Sequence, residues 1–286
     1  RYPLAVRSSS LLEDSHDQPF AGIYRTCMLP NGSLSAEGRL RDLCAAIKLV
    51  YASTFSQNAK AYLRHTPYRS EEEKMAVVIQ RLVGRTHGSR FYPDFAGVAR
   101  SYNYYPVMDL KAEDGIAVVA LGFGKTVVEG GRSIRFSPGA PEVLPQFGST
   151  SEIVRNAQVE FYALDLNGTP VFSATGADDT MVKLDLEVAE EDGTLGAVGA
   201  TWSEDNDAVY DGISRPGVRL VTFGPMLKRR TFPLPAILRR LLLLGSEAMS
   251  CPVEIEFAVN LEATDGKPEF ALLQVRPMVV EFGTEN

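Results

Sequence analysis

Val253-Glu254-Ile255-Glu256-Phe257 and Leu273-Gln274-Val275-Arg276-Pro277 are the two stretches on which the reading of this chain turns. Both read as strands, joined by a loop containing Asp265-Gly266. Side chains two apart in a strand point the same way, so Glu254 and Glu256 share a face, and Gln274 and Arg276 repeat that spacing on the other strand. Two acids, an amide and a guanidinium make a poor core, because such groups are rarely buried unpaired. They suit a hard cation and a polyphosphate, since carboxylate oxygens bind Mg²⁺ and Arg matches phosphate with planar donors. A solvated sheet face with cross-strand ion pairs is the other reading that periodicity allows.

Upstream of this hairpin, residues 235–249 show the amphipathic spacing of a helix. Residues 116–121 (IAVVAL) and 75–83 (MAVVIQRLV) read as buried strands, the second ending at Gly84. Residues 35–63 place apolar side chains at helical spacing behind Ser35, a candidate N-cap, so one or two helices are expected within 35–75. Residues 2–6 read as a strand, Ser8-Ser9-Ser10 as a loop and Phe20-Ala21-Gly22 as a turn. Val159, Phe161 and Ala163 alternate ahead of Asn167-Gly168, with Val171 and Phe172 beyond, which predicts a hairpin. It lies in a middle piece, 151–217, that reads as an insertion.

Composition narrows the classes. With 29 Lys+Arg against 36 Asp+Glu the net charge is −7, which argues against nucleic acid as a partner. A hydrophobic content of 45% is enough for a core and excludes a disordered chain. The longest apolar stretch, 234–244, is interrupted by Pro235, Arg239 and Arg240, so no membrane span is expected. Three cysteines without CxxC spacing support neither a disulfide framework nor a zinc site, and the cytoplasm is the default compartment. Arg1 stands at the start with a strand already under way, as in a fragment.

Arg7, the serines that follow, Gly22 and Thr26 could cradle phosphate, although a plain surface loop has the same composition. Gly124-Lys125-Thr126 invites a phosphate-loop reading, but that motif needs Gly where Val119 stands. His16, His65 and His87 read as surface residues, and Tyr102, Tyr104 and Tyr105 as packing beneath a strand. Lys228-Arg229-Arg230 reads as a solvated helix entry.

Ala5-Val6-Arg7-Ser8-Ser9-Ser10, Glu13-Asp14, Phe20-Ala21-Gly22 and Thr26 resemble the AVRSS, ED, SFAG and T signature of the nucleotide-binding domain shared by phosphoenolpyruvate synthase, pyruvate phosphate dikinase, glucan dikinases and rifampicin phosphotransferase. Met75 to Gln80 resembles that family's hinge strand and Gly97-Val98-Ala99 its GVAF segment. Glu254-Ile255-Glu256 resembles DIEW, and Leu273-Gln274-Val275-Arg276-Pro277 resembles LQxRP. The resemblance implies an α+β ATP-grasp fold over 1–286, with ATP between two lobes. Arg7 would contact phosphate, Gly22 and Thr26 would form the phosphate loop, and Gln80, Arg81 and Leu82 would lie along adenine. Glu254 and Glu256 would hold Mg²⁺, with Gln274 and Arg276 orienting phosphates.

The activity implied is that of an ATP-dependent phosphotransferase passing a phosphoryl group to a histidine on a domain outside this chain. The family's first-lobe Lys precedes its VRSS strand, so part of that lobe is expected to be missing. Gly122-Phe123-Gly124-Lys125 stands for GLGE, with a cation in place of the acid. These departures keep two alternatives open: a non-catalytic nucleotide-binding regulatory domain, and a kinase of a small molecule or glucan.

Overall fold

In the computed structural model, which describes residues 1–10, 13, 22–64, 73–170, 172, 180–262 and 266–278, the chain opens with β1 (Leu4–Ser10), β2 (Thr26–Leu29), α1 (Ala36–Ser53), α2 (Gln57–Leu63) and β3 (Met75–Arg81). These strands form an antiparallel sheet ordered β2-β1-β3. One face, carrying Val6, Cys27 and Leu29, packs on Ala46 and Val50 of α1. That helix starts where expected: the Ser35 hydroxyl accepts from the Gly38 N–H at 3.0 Å. Register puts Arg7 opposite Thr26 and Val78, and Ala5 opposite Gln80. Directly paired residues share a face, so Arg7, Thr26 and Gln80 line the side of the sheet away from α1.

Two expectations for this sheet are corrected. Ser8, Ser9 and Ser10 are strand rather than loop, because they pair with Val77, Ala76 and Met75; cross-strand pairing outweighs the turn preference of a serine run. Residues 75–83 do not form a buried strand. β3 stops at Arg81 and lies at the sheet's edge, where Val78 and Ile79 are exposed. A β-branched run fits a pleated surface whether one or both of its faces are covered, so composition alone did not separate the two cases.

The chain continues through β4 (Arg85–His87), β5 (Arg90–Tyr92), β6 (Phe95–Arg100), β7 (Ile116–Leu121), α3 (Lys125–Val128), β8 (Ile134–Phe136), α4 (Thr150–Asn156), β9 (Glu160–Asp165), β10 (Met181–Asp185) and α5 (Leu186–Glu191). It ends through β11 (Gly199–Ser203), β12 (Ala208–Asp211), β13 (Val218–Val221), α6 (Gly224–Arg229), α7 (Leu234–Met249), β14 (Val253–Asn260) and β15 (Glu269–Pro277). The largest sheet has five antiparallel strands in the order β15-β14-β6-β7-β8. One face joins the main core with Val119, Ile134, Ile255 and Phe257, against which α7 sets Leu234, Leu238 and Leu242. The other face carries the polar residues of the last hairpin.

The return strand of the predicted middle hairpin is β10, paired with β9 from Met181↔Leu164 to Asp185↔Glu160, and not 171–172. Phe172 instead packs at the small core beside α1, and Val171 lies outside the described residues. Phe161, Leu164, Leu195 and Val198, all within 151–217, belong to the same core as Phe257. Arg90 on β5 grips the Asp192 carboxylate through Nε at 3.1 Å and Nη2 at 2.7 Å, tying this piece to its neighbour. No helix among the described residues is long and apolar enough to cross a membrane.

Gly97, in the middle of β6, lets the five strands close up. A Cβ there would meet the Val118 carbonyl oxygen at 2.5 Å and Phe257 at 2.9 Å, and the first of these is backbone that has no room to move. Gly97→Ala is therefore expected to cost about 2–3 kcal/mol, the scale of overpacking in a filled core. Urea denaturation measures it, and an unchanged midpoint would show that the strands separate freely.

Candidate functional site

The last hairpin forms as expected, and its register pairs Glu254↔Arg276 and Glu256↔Gln274, with a bulge after Glu256. The bulge matters. Pairing resumes at Phe257↔Leu272, which leaves Leu273 as the extra residue with its carbonyl outside the regular ladder. Gln80 of the small sheet reaches that carbonyl through Nε2 at 3.5 Å, a long contact. Beside it, Arg7 donates through Nη2 to Gln274 Oε1, and its Nη1 lies 3.8 Å from Glu256. Arg7, Gln80, Gln274 and Glu256 thus meet across the junction of the two sheets.

Glu254 is the buried member of the cluster, at 5% exposure. Arg276 donates to Oε1 through Nε at 2.7 Å, and Arg100, at the end of β6, donates to Oε2 through its own Nε. Burial pushes this carboxyl upward, but the charges of Arg276 and Arg100 outweigh burial and hold it below its ordinary value of 4.5. A carboxyl depressed on folding stabilises the native state above that ordinary value and loses the contribution as pH falls through the lower native one. The stability difference between the parent chain and Glu254→Gln is therefore expected to be full at pH 7 and to shrink below about pH 4.5. Urea titrations at pH 7 and in acid check this; a gap of equal size at both would mean that the pairing does not depend on the charge.

Glu256 differs in kind. It is partly exposed, and Arg7 and Arg276 both stand 3.8 Å from it, too far for hydrogen bonds but close enough for charge. Thr26 sits opposite Arg7 at the start of β2, exposed on the same face. The expected adenine-side residues divide. Gln80 faces the junction, whereas Arg81 points to the other side and lies over the Tyr2 ring at 5.1 Å. Leu82 is buried in the main core, and its N–H donates to the Pro3 carbonyl at 3.0 Å. Gly22 adopts a positive φ of 79° ahead of β2 with open space around it; residues 14–21, which lead to it, lie outside the described residues.

Arg100 is the participant that the sequence reading missed. It takes the fourth position of the segment likened to GVAF, where that segment has Phe, and its register partner is Glu254. The departure is visible in the sequence; its partner, 154 residues away, is not.

Other candidates lie apart from the site. Lys125 pairs with Glu129 at 3.7 Å and lies over the Tyr162 ring at 4.8 Å. His87 is half-buried against the Tyr92 ring rather than on the surface, and burial pushes its pKa down; His16 and His65 lie outside the described residues. Tyr102 and Tyr104 pack edge to face, but Tyr105 is 86% exposed, contrary to the packed role expected of it. Lys228 and Arg229 lie in the last turn of α6 and Arg230 just past it, so the basic run closes a helix and does not open one; Lys228 and Arg230 pair with Asp211 and Glu142.

A small sheet that presents one arginine to the acid, amide and guanidinium of a larger sheet makes a two-sided polar junction suited to phosphate groups. The family model described as the pyruvate phosphate dikinase, AMP/ATP-binding domain matches residues 1–285, and the chain belongs to that family. It is an ATP-binding domain of the kind found in pyruvate phosphate dikinase-like phosphotransferases, built of mixed helix and sheet. A comparison with curated proteins finds no match.

Proposed function

We propose that this domain binds Mg-ATP in an ATP-grasp arrangement between the small sheet and the β14–β15 hairpin, and that the phosphoryl group passes to a histidine outside this chain. One observation carries the reading: Arg7, Glu256, Gln274 and Arg276 come from two sheets and converge at one place. Phosphoryl transfer asks a protein mainly for positioning and charge neutralisation, which two guanidiniums on either side of a carboxylate supply. The Leu82-to-Pro3 hydrogen bond sets the phase of the β1–β3 ladder, so the backbone groups of Ile79 and Arg81 face the open edge of β3. Those groups, rather than the Arg81 and Leu82 side chains, would read adenine. Gly22 and Thr26 would close over the phosphates.

The donor set fits magnesium brought in with a nucleotide. Among the described residues no cluster of three or more acids, histidines or cysteines forms a dedicated metal cage. Mg²⁺ typically takes one or two carboxylates and completes its shell with water and phosphate. Glu256 is the carboxylate placed to serve. Glu254, whose oxygens both accept from arginine, holds Arg276 in position and joins the metal only by releasing one of them. When bound, the ion would neutralise charge on the phosphates and bridge them to the hairpin.

Calorimetric titration of the chain with ATP, with and without Mg²⁺, tests this. Mg²⁺-dependent binding that weakens at least tenfold in Glu256→Ala is the expected result. Binding of equal strength without the metal and in the variant would place the nucleotide elsewhere. A regulatory, non-transferring domain is the second reading, favoured by the pairing of Lys125 with Glu129 and Tyr162 away from the junction; nucleotide binding without phosphorylation of any partner histidine would support it. Whether the final acceptor is pyruvate, a glucan or a small molecule is set by domains outside this chain.

A further inference from the structure

The polar face of the five-stranded sheet does not end at Arg100. Register carries Arg100 to Ile116 on β7, and Val118 to Arg135 on β8, so one continuous face runs from Glu254 to the far edge. The distance is three strand spacings, roughly 14 Å. At that far edge lies a cavity of ≈ 490 Å³, within the range of about 300–1,000 Å³ of small-molecule sites.

Its chemistry is one-sided. Arg132 and Arg135 line it, and none of its lining residues is acidic, in a chain whose net charge is −7. Both side chains are exposed, and among the described residues neither guanidinium makes an ion pair or a hydrogen bond, as is also true of the exposed Arg41, Arg239 and Arg240; what sets Arg132 and Arg135 apart is that they share one cavity. Val107, Leu110 and Ile116 supply an apolar part of the lining, Ile116 from the same sheet face as Arg135. The walls are braced before any ligand arrives. The Gln146 side-chain amide pairs with the backbone of Arg135, accepting from its N–H at 2.8 Å and donating to its carbonyl at 3.2 Å. Asn156 in turn donates through its side-chain amide to the Gln146 backbone carbonyl at 3.0 Å. On the opposite wall the Asn103 N–H donates to the Ala112 carbonyl at 2.8 Å. Two unneutralised planar cations on a braced frame beside an apolar wall match an anionic head joined to an apolar body.

We propose that this cavity is a second binding site, for a small organic anion whose phosphate or carboxylate pairs with Arg132 and Arg135 while its apolar part rests on Val107, Leu110 and Ile116. The site shares a sheet face with the junction but none of the residues assigned there to nucleotide, so it stands or falls separately from the ATP reading. The test titrates the chain with phenyl phosphate, benzoate and phenol, followed by ligand-observed NMR, with and without saturating Mg-ATP. Phenyl phosphate or benzoate is expected to bind at least tenfold more tightly than phenol, and the tighter of the two identifies the head group as phosphate or carboxylate. The double variant Arg132→Gln, Arg135→Gln is expected to lose at least tenfold for the anions, with its melting temperature unchanged and its ATP affinity within twofold of the parent. Equal binding of phenol, anion binding that survives the double variant, or displacement of the anion by Mg-ATP would each overturn the second site. Loss of ATP binding in the parent chain would strike the nucleotide reading alone.

Discussion

Glu254→Ala is expected to lower the stability of the chain by about 3 kcal/mol, the low end of the cost of breaking a buried ion pair. The physical reason is the loss of a shared buried acceptor. Glu254 is 5% exposed and each of its oxygens accepts from an arginine, so truncation removes the carboxylate that joins Arg276, whose side chain is 24% exposed, to Arg100. The Arg100 side chain is 51% exposed, and water screens its share, which is why the low end applies. For a chain of this size the loss corresponds to a drop in melting temperature of roughly 6–12 °C. Glu256→Ala should move it by far less, because that carboxylate is partly exposed and its arginine neighbours stand 3.8 Å away. Thermal melts of the two variants side by side decide the matter. Equal shifts would mean that burial does not separate the two acids.

Arg276→Ala is expected to weaken Mg-ATP binding by about 30–150-fold, since charge-assisted hydrogen bonds to phosphate contribute about 2–3 kcal/mol. Arg81→Ala is the matched control. It removes a guanidinium of the same charge from the opposite face of the small sheet, where it lies over Tyr2, and keeps the backbone groups proposed to read adenine. Its affinity should stay within about twofold of the parent, set by long-range charge that salt screens. Calorimetry at constant ionic strength compares the two. If both lose affinity alike, the nucleotide is responding to net charge and not to the junction that Arg276 occupies.

Much of the junction is legible in the amino-acid sequence. A two-residue period puts Glu254 with Glu256, and Gln274 with Arg276, whatever the rest of the fold does. Ser35 caps its helix because the cap is a contact within four residues. Where expectation and structure part, longer contacts decide. Ser8 to Ser10 become strand through pairing with β3. The return strand of the middle hairpin comes from Met181 to Asp185, beyond the Asn-Gly turn that suggests a nearer one. Arg100 escapes notice because an arginine after an apolar strand reads as an ordinary exposed end, and only strand order sets it against Glu254.

The sequence by itself determined which side chains of the last hairpin share a face, where the first helix begins, and the family to which the chain belongs. The tertiary structure alone decided what stands opposite each face: Gln274 against Arg7, 267 residues away, and Arg100 against Glu254, 154 residues away. Periodicity is a property of neighbouring backbone dihedrals, whereas the order and bulging of strands depend on how the whole core packs. Hence two carboxylates with the same local spacing acquire different surroundings. Glu254 is buried and gripped by two guanidiniums, and Glu256 is left open to a cation.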